Sequence, residues 1–131
     1  MFLENGTTVA VMDGHRLRLF RNIGHEDQPE LLEVDHPVVP PSNAGSGGRH
    51  TSSAANPDNA RHNEDNFVAA VADLLNSQMR NGAITKLFVV ADPRTLGELR
   101  HSLSGSLVIG SMAKNMMQQD AREIAQAILC A

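Results

Sequence analysis

Leu87 to Leu99 reads LFVVADPRTLGEL. Its first five residues are apolar without alternation, the pattern of a central strand covered on both faces. Asp92-Pro93 then opens a helix. An aspartate side chain can accept from the free N–H groups of a first turn, and proline needs no N–H at the first helical position. Leu96, Leu99 and Leu103 fall on one side of that helix. A covered strand that runs into a covering helix is half of a crossover unit, so an α/β architecture is expected.

The flanking sequence fills in the rest. Phe67, Val71, Leu75 and Met79 recur every four residues, with Val68 and Leu74 beside them, which predicts a helix over about 57–81. Asn56-Pro57 would cap it and Asn81-Gly82 would stop it. Thr7 to Met12 (TTVAVM) and Arg16 to Phe20 (RLRLF) read as two strands. Asp13-Gly14 between them is a dipeptide favoured in tight hairpin turns, because it tolerates positive φ. Glu30 to His36 (ELLEVDH) makes a third strand that ends at Pro37. Ser106 to Gly110 (SLVIG) is the next, and Gln118 to Leu129 is the last helix, with Ala121, Ile124, Ala125 and Ile128 inward. Met112, Met116 and Met117 are expected beneath that helix. The order β-β-β-α-β-α-β-α implies a mixed five-stranded sheet: an antiparallel meander, then βαβ crossovers. Helices would cover both faces, in a ribonuclease-H-like outline.

Length and composition bound the function. A chain of 131 residues is expected to form one domain, 1–131, large enough to bury a core without disulfides or a structural metal. Cys130 is the only cysteine, as in a reducing compartment. Met1 to Gly6 has no basic region followed by an apolar stretch, so no secretory leader is expected, and no apolar run approaches the length of a membrane span. A cytoplasmic location follows as the expectation, with no membrane partner. The formal charge is −4. Residues 1–36 hold three Arg against seven acids, whereas residues 37–63 hold Arg49 and Arg61 against Asp58. A broad nucleic-acid-binding face is therefore excluded, and any RNA contact should centre on the middle segment. Four Phe without Trp or Tyr also leave little for base stacking.

That middle segment, PVVPPSNAGSGGRHTSSAAN over 37–56, is rich in Pro, Gly, Ser and Asn and has little to bury beyond Val38 and Val39. It is expected to be a long flexible loop, of the kind that is either functional or simply disordered. Gly47-Gly48-Arg49-His50 lies within it, and Arg61-His62-Asn63-Glu64 follows at the front of the long helix.

Three stretches taken together are familiar: Val11-Met12-Asp13-Gly14 with the strand ending Leu19-Phe20; Glu33-Val34-Asp35-His36-Pro37 leading into Gly47-Gly48-Arg49-His50; and Arg61-His62-Asn63-Glu64 with LFVVADPRTLGEL. From Thr7 to Ile128 the chain resembles the bacterial host attachment family. That family is in turn similar to the middle domain of archaeal and eukaryotic class-one release factors and of Pelota. The resemblance implies that the loop is the working part, since in release factors a Gly-Gly-Gln loop enters the ribosome and promotes peptidyl-tRNA hydrolysis. Gly47 and Gly48 match, but Arg49 stands where the glutamine would be. Arginine is longer and permanently charged, which argues against that hydrolysis, although it suits a phosphate. A chain this short is also not expected to hold a codon-reading domain.

The candidate loop and RNA-binding residues are therefore Gly47, Gly48, Arg49, His50 and Arg61, and the expected partner is the ribosome or RNA. The alternative is a solvated linker in a host-attachment or adhesion-related interaction protein without enzymatic activity. A third reading, a metal-dependent nuclease, would use Asp13 and Asp92, whose strands should be adjacent and parallel. Both acids already have local roles, however, one in a turn and one as a helix cap. The six histidines show no metal spacing, and no nucleophile elbow or phosphate-binding glycine loop is present, so neither metal nor cofactor is expected.

Overall fold

A computed structural model of the chain describes residues 2–37, 39, 57–103 and 105–131, with 57–65 described by their backbone. The elements are β1 (Thr8–Met12), β2 (Leu17–Asn22), β3 (Leu31–Val34), α1 (Pro57–Arg80), β4 (Leu87–Ala91), α2 (Pro93–Ser102), β5 (Val108–Ala113) and α3 (Ala121–Leu129). The strands form one mixed five-stranded sheet in the order β3-β2-β1-β4-β5. β1 pairs antiparallel with β2 and parallel with β4, β2 pairs antiparallel with β3, and β4 pairs parallel with β5. This is the expected α/β class, and it is compatible with the ribonuclease-H-like outline.

Strand periodicity divides the core in two. Ala10, Met12, Leu17 and Leu19 face α1 and α2, where they meet Phe67, Val71, Leu75, Leu96 and Leu99. Val9, Val11, Phe20, Phe88 and Val90 face the other way, onto Ile124 and Ile128 of α3. Met116 and Met117 are buried on that second side and Met112 is half-buried there, as the sequence implied. β1 and β4 are buried along their whole length because both faces are covered. Asp92 caps α2 as expected, its side chain accepting from the Thr95 N–H at 3.1 Å. α1 ends before Gly82, whose φ of +88° suits a residue without Cβ.

Several boundaries differ from expectation. The hairpin between β1 and β2 exists, but its turn is wider than a two-residue Asp-Gly turn: Met12 pairs with Leu17, and Asp13 to Arg16 make the loop. Gly14 does not adopt positive φ. Instead the Asp13 side chain accepts from the N–H groups of His15 and Arg16, both at 2.8 Å, and so replaces the torsions of a tight turn. β2 runs on to Asn22, which has a buried polar role. β5 begins two residues later than expected and continues through Ser111 and Met112, after a short 3₁₀ turn at Gly105–Leu107. A polar Ser111 is tolerated there because the strand lies at the sheet edge and Arg100 of α2 donates to the Ser111 hydroxyl at 3.0 Å. α3 starts at Ala121 rather than Gln118, because Asp120 and Glu123 form a capping box. The expected Asn56 cap and the expected mobility of the 37–56 loop lie outside the described residues, apart from Pro37 and Val39.

Candidate functional site

A groove of about 550 Å³ opens at the end of the sheet where β1 finishes and β2 begins. The β1–β2 hairpin supplies His15 and Arg16, and β2 supplies Leu17 and Arg18. β3 and its exit supply Glu33, His36 and Val39. Phe67 of α1 and Met117, ahead of α3, close the apolar floor. Residues from both faces of the sheet therefore meet here, around the end of its edge.

Arg18 organises the groove. Its Nε donates to Glu33 Oε2 at 3.2 Å and its Nη2 to Glu33 Oε1 at 3.0 Å, a two-pronged pair across the β2–β3 ladder. Its Nη1 donates to the carbonyls of Met117 and Gln119 at 3.0 and 2.9 Å. The guanidinium also lies 4.9 Å from the Phe20 ring centroid. One side chain thus ties the edge hairpin to the segment before α3. His36 fastens the other rim, with Nε2 2.9 Å from the Leu17 carbonyl and Nδ1 2.7 Å from that of Pro37.

The Arg18 hydrogen bond holds the Glu33 carboxyl below its ordinary value of 4.5; burial opposes this, and the charges of Arg18 and His36 add to it. The sign follows. A lowered folded-state value adds stability that is complete above pH 4.5 and disappears as the pH falls through the lowered value. We expect Arg18→Ala to destabilise the fold by about 2 kcal/mol, because two main-chain carbonyls lose a charged donor. Acid unfolding of the variant should also show less dependence on pH below 4.5, which denaturant midpoints measured at several pH values would check. Unchanged midpoints at neutral pH would contradict this role.

Of the residues chosen from sequence, Gly47, Gly48, Arg49 and His50 lie outside the described residues, and Arg61 is placed by its backbone alone, in the first turns of α1. Asp13 and Asp92 do follow parallel neighbours at one sheet end, since Met12 and Ala91 are in register. Both carboxylates are engaged by main-chain N–H groups, however, as a turn and a cap require. Among the described residues no three His, Cys, Asp or Glu side chains converge as a metal would need. The groove itself was not found by sequence reading. Its one available signal was opposite charge at Arg18 and Glu33 on neighbouring strands, which becomes meaningful only once the register is known.

Among the described residues no helix is long and apolar enough to cross a membrane. No curated protein matches the chain. The profile of a family described as "Protein required for attachment to host cells" matches residues 8–128, from the start of β1 to the end of α3. The chain belongs to this host attachment family.

Proposed function

We propose that this host attachment protein is a binding factor of the translation apparatus, working in the cytoplasm through Gly47-Gly48-Arg49-His50 on the ribosome or RNA. One observation carries the reading. The segment that holds these residues follows Val39, on the rim of a groove whose lining sets two arginines, Arg16 and Arg18, against a single carboxylate, Glu33, with His15 and His36 beside them. In a chain of net charge −4 this is a local basic excess. Arg49 and Arg61 extend it in sequence, and a polyanion is the partner such an excess attracts. The likeness to release-factor middle domains points the same way. Two glycines admit close backbone approach, and arginine in place of glutamine favours holding a phosphate over promoting hydrolysis.

Ribosome co-sedimentation at low and high salt tests the reading. Wild-type binding should fall with salt. Arg49→Ala should bind more weakly, with a log–log salt slope shallower by about one unit. Thermal stability of the Arg49→Ala variant is expected to stay close to that of wild type. Arg49→Gln restores Gly-Gly-Gln, yet no peptidyl-tRNA hydrolysis is expected from it. Equal binding by wild type and Arg49→Ala across the salt range would remove the segment from the mechanism. The second reading, an adhesion-related interaction protein, is favoured by the family description. Absence of ribosome binding even at low salt would select it.

A further inference from the structure

The two edges of the sheet are built differently. β3 has four residues, lies between Pro29 and Pro37, and carries Glu33, with Glu30 and Asp35 beside it. Short length, charge and proline are the devices by which an edge strand is kept from pairing. β5 has six residues, VIGSMA, with neither charge nor proline. Among the described residues no strand pairs with its outer side. Its register with β4 skips Ile109, so the regular stretch is Gly110–Ala113. Gly110, Ser111 and Ala113 are small and leave the approach to the main chain open. Alternate residues of an edge strand direct their N–H and C=O groups away from the sheet. Beside this edge, a groove of about 240 Å³ between α2 and β5 is lined by Leu96, Leu99, Leu103, Val108 and Ile109.

Charge separates the possible occupants. From residue 99 to 119 the sequence has no carboxylate, while it carries Arg100, His101 and Lys114. Arg100 reaches β5 itself through Ser111, and Lys114 follows its last residue, exposed. A second β5 paired antiparallel over Gly110–Ala113 would add another Arg100 and Lys114 to this edge, with no acid in either strand to receive them. The β3 edge of another copy carries acids, but it is short, and Glu33 is already held by Arg18.

We propose that the outer edge of β5 is a docking site for an extended acidic peptide of another protein, which adds to the sheet as a further strand. Main-chain hydrogen bonds would hold it, an apolar side chain would enter the α2–β5 groove, and its carboxylates would meet Arg100 and Lys114.

The test uses the full chain and two synthetic peptides, each an alternating valine–threonine core, flanked in one by glutamates and in the other by lysines. On NMR titration with the glutamate peptide, the amides of Gly110–Ala113 should shift and gain protection from hydrogen exchange. By fluorescence anisotropy the glutamate peptide should bind about tenfold tighter than the lysine peptide. The double substitution Arg100→Glu with Lys114→Glu should reverse that order, and Lys114→Glu alone, which leaves the Arg100–Ser111 hydrogen bond in place, should already narrow it. Equal affinity for the two peptides, shifts confined to the β3 edge, or no shift in β5 at millimolar peptide would each overturn the proposal. So would concentration-dependent self-association that blocks the β5 amides.

Discussion

Phe88→Ala is expected to destabilise the fold by about 3–5 kcal/mol, the range for truncating a buried aromatic side chain. Phe88 is almost fully buried on the α3 side of the sheet, in the cluster that includes Ile124 and Ile128. It sits in register with Val9 of β1 on one side and Gly110 of β5 on the other. Its neighbour Gly110 offers no side chain to fill the space left by the ring, so from β5 only Ile109 and Met112, which flank that glycine, could close part of the cavity. Domains of this size have total stabilities of about 5–15 kcal/mol, so one substitution removes a large share. The melting temperature should fall by roughly 10–15 °C, at about 3 °C per kcal/mol for this chain length. Circular dichroism melts would check it, with Leu32→Ala as the control. Leu32 is apolar too, but 52% exposed on the β3 edge, and its loss should stay within about 0.5 kcal/mol. Similar effects at both positions would mean that the two-layer core is not what stabilises the sheet.

Phe88 also shows why much of the fold could be read from sequence. An unbroken apolar run has one economical explanation, a strand covered twice, and LFVVA gave its boundaries to the residue. The apolar spacing of α1 and the Asp92-Pro93 cap were equally local signals, each decided within a single turn of helix. The boundaries that differ are of two kinds, one set by a contact from another element and the other by a local side-chain bond that competes with the expected geometry. SLVIG looked like a complete strand because Ser111 interrupts the apolar run. What keeps Ser111 in β5 is Arg100, eleven residues away on another element. Asp13-Gly14 looked like a tight turn because its composition permits one. The side chain of Asp13 took over the role instead, and composition alone does not distinguish the two. At α3 the capping-box signal, Asp120 followed three residues later by Glu123, was present in the sequence and shortens the helix from its front.

The candidate site was less legible for the first of these reasons. Arg18 was visible only as the polar half of an alternating strand. Its partners are Glu33 on the next strand and two carbonyls about a hundred residues further along the chain. Neither pattern nor composition connects positions so far apart. The Gly-Gly-Arg-His segment was easy to single out by composition and rests on resemblance. Its link to the groove runs through Val39 alone among the described residues.

Asn22→Ala should cost about 3 kcal/mol and about 10 °C of melting temperature, although it removes few atoms. Asn22 is fully buried at the end of β2, and its amide closes a corner of the molecule. Its Nδ2 donates to the carbonyl of Leu3 at 2.9 Å and to that of Glu4 at 3.4 Å. Its Oδ1 accepts from the N–H groups of Gly24 and Glu30, both at 2.9 Å. Three chain segments therefore share one side chain: the N-terminal arm, the β2–β3 connection and the start of β3. The connection is drawn in so tightly that a Cβ on Gly24 would lie 2.7 Å from the Gln28 carbonyl oxygen. Alanine would leave two N–H groups and a buried carbonyl without their partner, and stranded polar groups cost more than the bonds themselves contribute. Asn22→Asp keeps the shape but turns the two donors into an acceptor facing the Leu3 carbonyl, and should be at least as harmful. Asn22→Gln, with the right groups one methylene too far out, should fall between wild type and alanine. Hydrogen exchange gives the specific signature, because the amides of Gly24 and Glu30 should lose protection while those of β4 keep theirs relative to global stability. If Asn22→Ala melted within about 3 °C of wild type, or if those two amides were already unprotected in the native chain, the corner would be held by something other than this side chain.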